Sequence, residues 1–278
     1  MSVRLAIAEA AQVLAATSDT ARLDAELLMA GLLGVSRSEM LLRHMADEAP
    51  SGWGHVVRRR MQHEPVAYIL GETEFRGLSL AVSPAVLIPR GDSETIVDAA
   101  IESFAGREPP KTILDLGTGS GALLLALLDH WSDASGVGID ASAPACAIAS
   151  SNAKRLGLGG RCRIAEADWT SAGWRAGFVC FDLVVANPPY VEHDAQLDPD
   201  VRDHEPASAL FAGPDGLADY RVLVPQLSAL VDPDGVAVLE IGHTQAGAVT
   251  TMATESGFSC ALRHDLGGRP RALILRRN

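Results

Sequence analysis

Thr112-Ile113-Leu114-Asp115-Leu116-Gly117-Thr118-Gly119-Ser120-Gly121 is the stretch whose reading decides the fold. Thr112 to Leu116 is a short apolar run with the length of a strand, and Ala122 to His130 continues as a helix. The glycines between them permit positive φ and let the backbone approach a ligand closely. The same strand, turn and helix alternation recurs downstream. Gly136 to Asp140 reads as the next strand, followed by a helix through about Leu156. Arg161 to Ala165 and Phe181 to Ala186 are further strands. A helix around Leu217 to Leu230 leads to a strand at Val236 to Ile241, and Arg271 to Leu275 is the last strand. Strands that alternate with helices predict an α/β fold, a doubly wound, mostly parallel sheet with helices on both faces.

Upstream the texture differs. Residues 1–72 are rich in Ala, Leu and Met, with periodic positions such as Leu23, Leu27, Leu28 and Leu32. They predict a small N-terminal helical bundle, with Asp19 or Thr20 as a helix cap. Residues 73–92 alternate around Gly77 and are then broken by Pro84, Pro89 and Gly91, which predicts a β-hairpin linker. Residues 93–278 form the sheet domain.

The 278 residues carry 23 Lys and Arg against 35 Asp and Glu, a net charge of −12, and 47% are hydrophobic. Such a chain can bury a sizeable core, and its acidity argues against non-specific nucleic-acid binding. Arg58-Arg59-Arg60 reads as a solvated helix face. Cys146, Cys162, Cys180 and Cys260 are scattered without metal-ligand spacing and read as buried free thiols. The eight histidines show no zinc-site spacing. No signal peptide or membrane-spanning run is present, so the expectation is a soluble, cytoplasmic protein without membrane contact.

The loop Gly117-Thr118-Gly119-Ser120-Gly121 has GxGxG spacing and no following lysine, which fits neither a dinucleotide fingerprint nor a phosphate loop. Asp140 ends the next strand, where a carboxylate can accept from both hydroxyls of a ribose; its alternative role is the cap of the following helix. A ribose without a required phosphate favours S-adenosylmethionine over NAD. Asp168 and Trp169 follow the third strand. Asp168 is placed to accept from an adenine amino group and Trp169 to stack on its ring, or the tryptophan is a core residue. Asn187-Pro188-Pro189-Tyr190 ends the strand Phe181 to Ala186. Two prolines fix φ and remove N–H groups, so this edge is either a rigid, shaped wall or a strand-stopping turn. All four motifs fall at carboxyl ends of strands, the place where such sheets bind ligands.

Together these residues resemble the class I S-adenosylmethionine-dependent methyltransferases, and more narrowly the release factor glutamine methyltransferases (the HemK/PrmC family). The likeness runs nearly end to end. It takes in Pro65-Val66-Ala67-Tyr68-Ile69-Leu70-Gly71, Leu87-Ile88-Pro89-Arg90, the glycine loop and the Asn-Pro-Pro-Tyr motif. It continues through Asp200-Val201-Arg202-Asp203-His204-Glu205-Pro206, Gly213-Pro214-Asp215-Gly216-Leu217 and Leu239-Glu240-Ile241-Gly242. Gly91, where the family usually has proline, and Gly267-Gly268-Arg269-Pro270-Arg271 depart from its pattern.

The resemblance implies a seven-stranded, Rossmann-like methyltransferase sheet. It also implies N5-methylation of the glutamine in the Gly-Gly-Gln loop of peptide chain release factors. S-adenosylmethionine is then the donor, S-adenosylhomocysteine the product, and the N-terminal bundle a docking element. On this reading the Asn187 side-chain oxygen and the Pro188 carbonyl accept the two N–H groups of the substrate amide. Pro189 stiffens the edge, and Tyr190 packs on the amide. Gly117, Thr118, Gly119, Ser120, Gly121, Asp140, Asp168, Trp169 and Asn187 face the cofactor. Three other readings stand beside it. They are a ribosomal-protein glutamine methyltransferase, an adenine-N6 DNA methyltransferase, which expects a basic recognition region, and a non-enzymatic nucleotide-binding or scaffold protein.

Overall fold

The computed structural model describes residues 1–278, which divide into two compact units. The first is Met1–Glu72 together with Leu197–Glu205, and the second is Thr73–Gln196 with Pro206–Asn278.

The first unit is helical: α1 (Val3–Leu14), α2 (Ala21–Leu33), a short α3 (Arg37–Glu39), α4 (Trp53–Met61) and α5 (Val66–Leu70), joined by α9 (Pro199–His204) from far downstream. Val3, Ile7, Ala10 and Leu14 recur at helical spacing and form one buried face of α1. Burying a side chain such as Ile7 stabilises by about 1.5–3 kcal/mol. In α2 the buried stripe runs through Ala21, Ala25, Leu28 and Met29, while Leu23 is exposed. Thr20 precedes this helix, but its hydroxyl donates to Asp24 instead of capping. The arginine triplet is a solvated face only in part: Arg58 is exposed and Arg59 half-buried, but Arg60 is not solvated. Arg60 is 4% exposed because it lies between Asp24 and Asp200, at 2.7 and 2.8 Å.

The second unit opens with the hairpin β1 (Glu72–Phe75) and β2 (Leu78–Ala81), then α6 (Glu94–Ser103). The alternating array follows: β3 (Thr112–Leu116), α7 (Ala122–His130), β4 (Ser135–Asp140), α8 (Ala143–Arg155), β5 (Cys162–Glu166) and β6 (Phe181–Ala186). After these come α10 (Ala218–Leu223), β7 (Val231–Glu240), α11 (Ala246–Glu255), β8 (Phe258–His264) and β9 (Pro270–Arg277). The seven-stranded sheet has the order β5-β4-β3-β6-β7-β9-β8. It is parallel except for β9, which runs antiparallel to both neighbours.

Side chains alternate between the two faces, as pleated strands require. Ile113, Leu183, Val185, Val236 and Val238 pack with α6 and α7, whereas Leu114, Leu116, Val184, Ala186, Ala237 and Leu239 pack with α10 and α11. Three local readings need correction. The single helix expected around Leu217 to Leu230 is split, and Val224–Ala229 is a 3-10 segment. Pro225 explains the split, because it lacks the N–H that an α-helix would use. The pair α11 and β8 was absent from the sequence reading. Cys180 is exposed and the other three cysteines are half-buried.

Candidate active site

The register of the sheet brings the motifs together. Leu116 stands beside Ile139 on β4 and Ala186 on β6, and Asp140 stands beside Glu166 on β5. The residues that follow each strand therefore emerge side by side. They line one cavity of about 410 Å³. Its wall includes Gly117, Thr118, Gly119, Ser120, Asp140, Asp168, Trp169, Asn187 and Pro189. Gly121 and Pro188 are not in that wall. Gly121 precedes the first turn of α7, and Pro188 is buried at the end of β6.

The glycine loop is tied down from several sides. The backbone N–H groups of Gly117 and Thr118 both donate to the Ile139 carbonyl, at 2.9 and 2.8 Å. Asp140 accepts from the Gly119 N–H and from the Ser142 N–H, each at 2.9 Å. The helix cap is Ser142, which accepts from Ala145, so Asp140 is not needed for that task. Each carboxylate oxygen keeps a further lone pair. Gly117 has φ of +75°, and a Cβ there would stand 3.1 Å from the Trp169 ring. Only glycine meets both demands.

Trp169 Nε1 donates to Asp219 at 3.2 Å, which fixes the indole as a wall of the cavity. Burial raises the Asp219 carboxyl above the usual range. Asp168 turns Oδ1 to the Thr170 N–H and hydroxyl, at 2.8 and 2.7 Å. Asp115, at the floor, is 1% exposed. Its Oδ2 accepts from Thr118, but Oδ1 has no partner. Burial, opposed by the Thr118 bond, pushes its carboxyl up to about 7.

Beside Asn187 lies a smaller recess of about 60 Å³, shared with Leu87, Arg90, Tyr190 and Glu240. Tyr190 is held at its backbone and at its ring. Gln245 donates to the Tyr190 carbonyl at 3.0 Å, and the Tyr190 hydroxyl donates to Glu240 at 3.1 Å. Burial, with the nearby Glu240 charge, raises the phenol well above its usual range. Gly216, with φ of +66°, packs against the Tyr190 carbonyl, and a Cβ there would collide with it. That contact gives the Gly213–Leu217 motif a physical reason.

With this geometry in view, the comparisons with known proteins converge. Residues 6–71 match the PrmC N-terminal domain, and residues 113–201 match a methyltransferase domain. The chain is 39% identical over 244 residues to the release factor glutamine methyltransferase of Caulobacter vibrioides, covering 86% of this chain and 83% of that one. It is 42% identical over 266 residues to the release factor glutamine methyltransferase of Rhodospirillum rubrum, covering 92% and 79%. The chain belongs to the release factor glutamine methyltransferase family. A methyltransferase from Pyrococcus furiosus matches at TM-score 0.52 and 16% identity over 72% of this chain and 89% of that one, a likeness of fold alone.

Within this family member, sequence reasoning passed over several residues that build the site. Asn152 is fully buried on α8. It accepts from the Ala81 N–H and donates to the Ala81 and Ser120 carbonyls, so it pins the hairpin to the glycine loop. Ser93, Glu240 and Arg271 are also buried close to the Asn-Pro-Pro-Tyr edge. A signal for Glu240 was present: an acidic residue inside the apolar run Val236–Ile241 must find partners once buried.

Proposed function

We propose that this methyltransferase transfers the methyl group of S-adenosylmethionine to the glutamine side-chain nitrogen of the Gly-Gly-Gln loop in a peptide chain release factor. The products are N5-methylglutamine and S-adenosylhomocysteine. The observation that carries this reading is the placement of Asn187. It stands at the end of β6, lines the glycine-loop cavity, and also lines the small recess beside it. A planar amide entering the recess is thus adjacent to a donor lying in the cavity.

The donor set fits S-adenosylmethionine. Asp115 lines the cavity with a buried Oδ1 that has no partner, so its carboxylate, once ionised, would complement a cationic ligand, and Asp140 retains lone pairs for ribose hydroxyls. Gly117 and Thr118 would bring backbone to the ligand, with Trp169 and Asp168 at the adenine side. When bound, S-adenosylmethionine supplies a methyl carbon made electrophilic by its sulfonium.

The protein's own residues do the rest. An amide nitrogen is a poor nucleophile because its lone pair is delocalised. The Asn187 Oδ1 and the Pro188 carbonyl accept its two N–H groups, orient it and stabilise the positive charge growing on nitrogen. Pro188 and Pro189 hold that edge rigid, and Tyr190 covers it against water. The nitrogen then gives up one proton to solvent, so no strong base is required. The helical unit, residues 1–72, serves release factor docking; its exposed Leu5, Val13 and Leu42 supply apolar contact area. No helix is long and apolar enough to cross a membrane.

Incubation with S-adenosylmethionine and a purified release factor, followed by peptide mass analysis, tests the proposal. One added methyl on the Gly-Gly-Gln peptide is the expected result. Transfer to DNA or to a ribosomal protein, with none to the release factor, would overturn it.

A further inference from the structure

Behind Asn187 runs a polar chain whose members are far apart in sequence. The Ser93 hydroxyl donates to Glu240 Oε2 at 2.6 Å, and Asn187 Nδ2 donates to Ser93 Oγ at 3.5 Å. The Tyr190 hydroxyl donates to the other oxygen, Oε1, at 3.1 Å, and Arg271 Nη1 donates to that hydroxyl at 3.4 Å. Glu240 is 1% exposed, so these neighbours decide its bonding. The sheet places it there: Ala186 pairs with Leu239, so the next residues of β6 and β7 stand together.

The polarity of this chain has a chemical consequence. Burial raises the Glu240 carboxyl, but the Ser93 bond, the Arg271 charge and the Tyr190 bond oppose that, and in its ionised form Glu240 only accepts hydrogen bonds. Ser93 therefore turns its hydrogen to Glu240, which leaves lone pairs facing Asn187. Only the NH₂ end of a carboxamide can meet lone pairs. The Oδ1 end is thereby turned away from Ser93 and left for another partner. The two ends of a carboxamide are almost equal in shape, so packing alone does not choose between them.

We infer that Glu240, acting through Ser93, is a positioning residue that sets the flip of the Asn187 carboxamide so that its oxygen meets the substrate. The inference rests on the acceptor role proposed for Asn187. With the flip reversed, an NH₂ group would oppose the substrate NH₂, and both orientation and charge stabilisation would be lost. Replacing Glu240 by Gln cannot repair the chain. A glutamine amide has one oxygen, so it serves either Ser93 or Tyr190 as acceptor and leaves the other hydroxyl without one.

The test is single-turnover methyl incorporation into a purified release factor, with S-adenosylhomocysteine affinity measured alongside. Ser93→Ala and Glu240→Gln should each slow transfer roughly 10- to 100-fold, the range for groups that orient a functional residue, with cofactor affinity unchanged. Added to Asn187→Ala, Ser93→Ala should cost less than about twofold more, because it acts through the residue already removed. A purely structural role predicts losses that multiply. Multiplying losses, or a near-normal rate for Ser93→Ala beside an inactive Asn187→Ala, would overturn the inference alone. A normal rate for Asn187→Ala would remove the acceptor role and this inference with it. Should Glu240→Gln fail to fold, Ser93→Ala, which deletes a single oxygen, decides the matter.

Discussion

Arg60 on α4 and Asp200 on α9 meet at 2.8 Å, although most of the sheet domain lies between them in the chain. Arg60 also meets Asp24 at 2.7 Å, and Asp24 accepts in turn from the Ser18 and Thr20 hydroxyls, at 2.7 and 2.8 Å. A buried ion pair adds little net stability while intact, but breaking it leaves an uncompensated charge. Arg60→Ala, which leaves the buried Asp24 with no opposite charge, should therefore destabilise the helical unit by about 3–5 kcal/mol, whereas replacing both partners by apolar residues should cost much less. Denaturant unfolding of the full chain measures both. A loss for the single variant no larger than for the double one would show that the pairing is not the cause.

Asn187 and Asp140 line the same cavity and should fail in different ways. Asn187→Ala should lower the rate of transfer by roughly 10²–10³, as loss of a transition-state partner does, while S-adenosylmethionine still binds. Asp140→Ala should mainly weaken cofactor binding, by about 1.5–3 kcal/mol for lost bonds to a charged group. Calorimetry and initial rates on the two variants separate these outcomes.

Gly117→Ala should impair binding without touching any proposed polar contact. Its φ of +75° costs a non-glycine residue about 1–3 kcal/mol, and the new methyl would press on Trp169 from 3.1 Å. Reduced thermal stability together with weaker S-adenosylhomocysteine binding is the expected pair of results.

Asp115 should make cofactor affinity depend on pH. Its carboxyl titrates near about 7 because burial disfavours the charge, against a usual value of 3.8. Between those values the unfolded chain is ionised there and the folded chain is not. This group's contribution to stability is thus fully present below 3.8 and falls as pH rises towards 7. A cation in the cavity favours the ionised form. Affinity for S-adenosylmethionine should accordingly rise with pH, by at most about tenfold per unit below the pKa, and level off above it. Asp115→Asn should flatten that dependence in a calorimetric titration series.

The sequence made the sheet legible because its signals are local. A strand, a glycine loop and an apolar helix are contiguous at Thr112–His130, and Asp140 ends a strand, Trp169 lies three residues beyond one and Asn187 follows one directly. The supports of the site were not legible in the same way. Ser93 meets Glu240 across 147 residues, and Asn152 meets Ala81 across 71. Such contacts leave no periodicity; they exist only once the sheet sets its register. Pro225, which ends the regular part of α10, was a local signal, but the apolar run around it concealed the break. The fate of Arg60 depended on Asp200, which no reading of residues 58–60 alone contains.

β9 lies inside the sheet, between β7 and β8, yet it follows β8 in the chain. Strand order in space is therefore not order of synthesis. While a nascent chain ends short of Pro270, β8 has no partner to pair with, and β7 presents Val236-Ala237-Val238-Leu239 as an open apolar border. Unpaired borders of that kind recruit other chains. A premature stop in this late segment should thus yield aggregating polypeptide instead of a slightly shortened enzyme, even though every residue lining the glycine-loop cavity has already been made.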